Sequence, residues 1–141
     1  MRLVLDTNIL VSALLSRTSL PAHLVVLWRE RRFKLVTAAD QFDELIRVTR
    51  YPKIRERITP ALAGRLINEM RDFAIIVSNL PTITACADPD DNYLLAMASV
   101  GAADFLITGD KADLLSMGSY EGIKIATVRD FLTSSDRLPK A

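Results

Sequence analysis

A single cysteine, Cys86, and a single histidine, His23, among 141 residues remove whole classes of chemistry at the outset. One cysteine makes neither an internal disulfide framework nor a cysteine-rich zinc site, and it fits a reducing compartment such as the cytoplasm. One histidine supplies neither a pair of imidazoles for acid and base duty nor the several nitrogens of a histidine-built metal site. Charge in excess of either sign is also missing. With 18 Lys plus Arg against 17 Asp plus Glu, no general basic field draws in nucleic acid, and any such contact must be local. A long apolar run is absent too: the first 15 residues are interrupted by Asp6 and Asn8 and carry no small-residue cleavage site, which argues against a signal peptide or a membrane span. No internal repeat or low-complexity tract occurs.

What is present is apolar substance and a supply of acids. Half of the residues are hydrophobic, enough for residues 1–141 to form one domain with its own core. Hydrophobic periodicity places a short strand at Arg2–Leu5, followed by a helix in which Ile9, Leu10, Ala13 and Leu14 recur at helical spacing. Leu20–Arg31 reads as a second helix with Pro21 in its first turn, and Phe33–Thr37 as a second strand. Ala38–Arg50 is helical, ending near Tyr51-Pro52; a further helix opens at Thr59-Pro60, and Ala74–Ser78 is a third strand. After a loop, Asp88-Pro89-Asp90-Asp91 has the composition of a capped helix start. The helix it opens runs to about Gly101. Phe105–Thr108, Asp110–Met117, Ile123–Thr127 and Val128–Thr133 complete the alternation as strand, helix, strand and helix. Such alternation predicts an α/β fold with a mostly parallel five-stranded sheet covered on both faces, which binds ligands beyond the carboxyl ends of its strands.

Four acids are placed to matter. Asp6 and Asp110 each follow the carboxyl end of a predicted strand, and so share one sheet edge; each also precedes a helix and suits an N-cap. Asp91 falls beside Leu94, Leu95 and Ala98 on the inward stripe of its helix, although with Asp88 as cap it would also occupy the third helical position, where the helix dipole favours a negative charge. Glu44 lies opposite Phe42, Leu45 and Ile46, and by pattern alone faces water. Should the four converge, like charges at ~4 Å repel by about 4 kcal/mol at an effective dielectric of about 20, so the cluster takes up protons or binds a cation. An all-oxygen site suits Mg²⁺ or Mn²⁺, which can activate water and polarise a phosphoryl oxygen.

The order Asp6-Thr7-Asn8, Glu44, Asp91 and Thr108-Gly109-Asp110 resembles the PIN-domain nucleases along essentially the entire chain. Its most specific pieces are DTNILVSALL at 6–15, DPDDNYLLAMA at 88–98 and LITGDKADLL at 106–115, which are similar to the toxin components of toxin–antitoxin pairs. The resemblance implies a three-layer α/β/α sandwich and a Mg²⁺- or Mn²⁺-dependent ribonuclease, with Asp6, Glu44, Asp91 and Asp110 as the catalytic, metal-binding acids. It further implies that Thr7, Asn8 and Thr108 support them through hydrogen bonds, with Asp88 and Asp113 at the periphery. A single-stranded or structured RNA substrate, a homodimer and an inhibiting antitoxin partner belong to the same expectation.

Arg17, Arg29, Arg31, Arg32, Arg50, Lys53, Arg55, Arg57 and Lys111 could neutralise RNA phosphates. The densest basic run, RYPKIRER at 50–57, makes Arg50, Lys53 and Arg55 the leading candidates beside Lys111; Tyr51 could stack on a base, but beside a proline is expected to pack. Trp28 is expected in the core or an interface, His23 at the surface or packed, and Cys86 has no visible activating partner. Two other readings remain. One is a PIN-like module that binds RNA or protein without turnover; the other is a receiver-type domain, which also gathers acids and a lysine at a sheet edge. The receiver, however, wants a phospho-accepting Asp after the third strand, where Ser78-Asn79 stand, and a phosphatase with an Asp nucleophile wants an acid where Asn8 stands.

Overall fold

The computed structural model describes residues 1–109 and 111–134. Among them the chain runs β1 (Arg2–Leu5), α1 (Thr7–Leu15), α2 (Leu20–Arg29), β2 (Lys34–Ala38), α3 (Ala39–Thr49), α4 (Pro52–Arg55), α5 (Pro60–Phe73) and β3 (Ile75–Val77). A 3₁₀ turn at Pro89–Asp91 then leads into α6 (Asn92–Val100), β4 (Phe105–Thr108), α7 (Ala112–Leu115), β5 (Ser119–Tyr120), β6 (Ile123–Thr127) and α8 (Val128–Thr133). The strands form one sheet in the order β3-β2-β1-β4-β6-β5, parallel except for the β5–β6 pair. Two differences from the sequence reading are local. The sheet has six described strands rather than five because Ser119-Tyr120 turns back on Ile123-Lys124, a pairing too short to leave an alternation signal. The basic run at 50–57 holds the one-turn helix α4, started by Pro52.

Three layers follow from which way each strand points its side chains. Leu3, Leu5, Leu35 and Ile107 face one way and meet Leu10, Leu24, Trp28, Leu45, Leu66 and Phe131 from the helices of that side. Val4, Val36, Leu106 and Ile125 face the other way, onto Leu94, Leu95, Met97 and Ala98 of α6 and Leu114 of α7. Successive residues of a strand alternate faces, so a central strand apolar on both sides needs cover on both. The α6 layer lies close: a Cβ at Gly101 would come within 2.5 Å of Val36 Cγ1, which explains a glycine where α6 ends.

The topology locates a crevice before any side chain is considered. From β1 the chain builds outward through β2 to β3, then returns past β1 to start β4 on its other flank. This reversal between β1 and β4 opens a gap at their carboxyl ends, the place where open α/β sheets bind ligands. A receiver-type sheet sets its third strand beside its first. Here β3 is instead the sheet's edge partner of β2, and the receiver reading falls. Among the described residues no single helix is long and apolar enough to cross a membrane.

Candidate active site

Asp6 sits at the reversal point. Its backbone N–H continues the sheet by donating to Ile107 O at 2.9 Å, and its side chain is fully buried. Two donors fix the carboxylate: the backbone N–H of Asn8 reaches Oδ1 at 3.2 Å, and the hydroxyl of Thr108 donates to Oδ2 at 2.8 Å. The helix cap therefore uses Oδ1 and the bond from Thr108 uses Oδ2. Thr108 is the last residue of β4 and is fully buried. Asn8 contributes through its main chain, and its side chain is exposed.

Asp91 approaches from the opposite layer. It ends the 3₁₀ turn that Asp88 caps by accepting the N–H of Asp90 at 3.0 Å. Its own side chain is only 2% exposed, as the inward stripe predicted, and makes no capping bond to α6. Burial pushes its pKa above the ordinary carboxylate range, reinforced by the negative charges of Asp88 and Asp6 and opposed by Lys111. The Lys111 ammonium lies 2.6 Å from Asp91 Oδ1 and 3.5 Å from Asp6 Oδ2, joining the two acids. Burial works against that ammonium's charge, but the bond to Asp91 and the charges of Asp6, Asp91 and Glu44 prevail and hold its pKa above the usual lysine value.

Glu44 is half-buried rather than solvated, a correction to the wheel reading. The reason is a clamp one turn earlier. Gln41, fully buried, donates from Nε2 to Leu5 O at 2.6 Å and accepts from the Thr37 hydroxyl at 2.7 Å. This ties the start of α3 to the carboxyl ends of β1 and β2 and turns Glu44 toward the crevice, where its charge acts on both Lys111 and Tyr93. Thr7, buried behind Asp6, bonds the Tyr93 hydroxyl at 3.1 Å rather than an acid.

Asp6, Glu44 and Asp91 thus address one crevice. Asp110, the fourth expected acid, lies outside the described residues. Asp113 is exposed on α7. Of the basic candidates, Lys111 touches the acids; Arg50, Lys53 and Arg55 are exposed at and just beyond the C-terminus of α3, and Arg29 is bound to Glu69 at 2.8 Å. Trp28 is core and His23 is exposed, while Cys86 is buried with its thiol pKa pushed up by desolvation, the opposite of activation. Tyr51 is 45% exposed and takes a hydrogen bond from Arg47 at 2.6 Å. The expectation that it packs is corrected, because the turn into α4 carries it past the core.

Sequence reasoning missed Gln41 and Tyr93. Gln41 had a signal, since it shares the buried i, i+4 row with Leu45 and Thr49. Tyr93 had none, because its hydrogen-bond partner Thr7 is remote in sequence.

Among the described residues no three acidic, histidine or cysteine side chains stand close enough together to cage an ion as they are. The chemistry of the donors nevertheless fits a hard divalent cation: the ligating atoms are carboxylate oxygens, two of the acids are almost wholly buried, and they have drawn in an ammonium as counter-charge.

A family described as PIN domain matches residues 2–112. An uncharacterized protein of Methanocaldococcus jannaschii, MJ1680, is 26% identical, the match covering 96% of this chain and 92% of the other. No solved structure matches it significantly.

Proposed function

Since the chain belongs to the PIN-domain family, whose members are typically metal-dependent nucleases, we propose that it is a Mg²⁺- or Mn²⁺-dependent endoribonuclease. Residues 1–141 would form one nuclease domain, with Asp6, Glu44, Asp91 and Asp110 as metal-binding acids. The carrying observation is that Asp6 and Asp91, 0% and 2% exposed, come from opposite layers to share one ammonium at the β1/β4 reversal. Two buried carboxylates kept so near each other are costly to the fold alone, so the arrangement is one that a function retains.

A bound divalent cation would supply the charge that polarises a phosphoryl oxygen and makes water a competent nucleophile near neutral pH. The protein's own contribution is orientation. Thr108 and the Asn8 N–H fix the rotamer of Asp6, and Gln41 fixes the helix that bears Glu44. Lys111, a positive charge paired with Asp91 at the rim, would exchange that partner for a substrate phosphate. Asp88 and Asp113 support the site from its edge, while Arg50, Lys53 and Arg55 offer exposed charges for an RNA backbone. The motifs at 6–15, 88–98 and 106–115 support a place among the toxins of toxin–antitoxin pairs, and with it a homodimer, a cognate antitoxin and a cytoplasmic setting.

The test is cleavage of RNA by the purified protein. Cleavage is expected to require Mg²⁺ or Mn²⁺, to stop with chelator, and to fall by orders of magnitude in Asp6→Asn and Asp91→Asn while both remain folded. A parent protein that binds RNA but never cuts it, at any metal concentration, would instead identify a silent binding module.

A further inference from the structure

We infer that the cleft between α3 and α5, edged by Arg50, Arg55 and Arg71, is a phosphate-binding site that holds the backbone of an RNA strand away from the acidic crevice. That the phosphate belongs to RNA rests on the nuclease reading above; the cleft itself does not.

The cleft, of about 280 Å³, lies where Ile46 and Arg50 at the end of α3 face Gly64, Ile67 and Arg71 of α5, and Arg55 joins them from α4. Among the described residues no acidic side chain lines it, and none of its three arginines pairs with a carboxylate. Other cations are compensated: Arg29 and Arg65 share Glu69, and Lys111 serves Asp91. Arg71 is steered but not neutralised, its guanidinium lying over the Phe42 ring at 5.6 Å from the centroid. Three like charges brought to one small cleft repel until an anion stands between them. The guanidinium fork matches the oxygens of phosphate or carboxylate, and beside a crevice suited to a phosphodiester the anion is phosphate.

Gly64 is the telling residue. A helix dipole favours Arg50 and Arg71 at the ends of α3 and α5, but it gives no reason for a glycine inside α5, where glycine is among the least favourable residues. The backbone there is ordinary helix, so no left-handed conformation calls for it. No neighbour crowds it either: unlike Gly101, Gly64 would meet nothing within 4 Å if it carried a Cβ. What the glycine keeps is the open space of the cleft, and that space serves only something that enters it. Around α3, Arg47 falls between Arg50 and Glu44, so a strand leaving the crevice meets positive charge on its way to the cleft.

The test is binding of a fluorescent single-stranded oligoribonucleotide, followed by anisotropy in the presence of chelator so that nothing is cut. Gly64→Leu alters no charge and fills the cleft against Ile46 and Ile67; it is expected to weaken binding about 10-fold, the loss of one charge-assisted contact, while the melting temperature holds or rises. Arg71→Gln should cost a similar factor and flatten the slope of log affinity against log salt by about 0.7, one single-strand phosphate contact. Lys34→Gln removes the same charge from the exposed start of β2 and should cost less than about 3-fold, since salt screens a distant charge. Gly64→Ala, a smaller insertion, should give a lesser loss and serves should Gly64→Leu not fold. Inorganic phosphate should compete about 100-fold less well than RNA, which engages several sites at once; competition on equal terms would assign the cleft to a free anion and overturn the RNA assignment. Parent-like binding by Gly64→Leu, an Arg71→Gln no weaker than Lys34→Gln, or a parent that does not bind the oligoribonucleotide overturns the inference, and metal-dependent cleavage would still support the nuclease reading. Cleft-dependent binding by a protein that never cuts RNA does the reverse.

Discussion

Asp91 concentrates the conflict between stability and function into one side chain. Its folded-state pKa lies above the unfolded value because burial outweighs the help of Lys111. A raised acid pKa contributes stability that is fully present below the unfolded value, about 3.9, and is lost as pH rises through the folded one. At neutral pH the ionised group therefore opposes folding. Asp91→Asn keeps the shape and removes that charge, so without metal at pH 7 it is expected to melt at the parent's temperature or higher, with the difference disappearing below about pH 4. Thermal unfolding with chelator across that range measures it; a clear loss of melting temperature at pH 7 would mean that the carboxylate serves the fold after all.

At the scale of elements, the decisive join is between α3 and the sheet. The β1–β2 ladder is registered through Val4 and Val36, and at its end the Leu5 carbonyl accepts a hydrogen bond from the Gln41 side chain. Gln41→Ala removes the buried partner that the Leu5 carbonyl and the Thr37 hydroxyl share, which costs about 1–3 kcal/mol per group left unsatisfied. A drop in unfolding free energy of that size is expected from denaturant titration, together with a loss of metal-dependent cleavage as Glu44 loosens. Unchanged stability would show that α3 is held by its apolar face alone. Element by element, the sequence was readable where local periodicity decided: β1, α1, α5, β4 and the inward register of Asp91 need only their own residues. It was silent where a remote partner decided. Glu44 leaves the solvent because of Gln41 and Leu5, Lys111 turns inward because of Asp6 and Asp91, and the two residues of β5 exist only against β6.

The whole molecule is a scaffold that converts sequence distance into proximity. Asp6, Glu44 and Asp91 are carried to one edge by a strand end, a clamped helix and a capped turn, and the β1/β4 reversal supplies the gap between them. The apolar layers on either face hold that edge rigid, so charges that repel cannot relax apart without unpacking a core. Fold and family are thus legible from the chain as a whole, whereas the chemistry depends on whether the acids act together on one cation. Amide NMR spectra recorded during Mn²⁺ addition report that directly, since the paramagnetic ion broadens only signals near it. Broadening is expected first at Asp6, Glu44, Asp91 and their neighbours Thr7 and Thr108, with Glu69, Asp104 and Glu121 spared. Uniform weak broadening, or broadening centred on those other acids, would contradict the shared site.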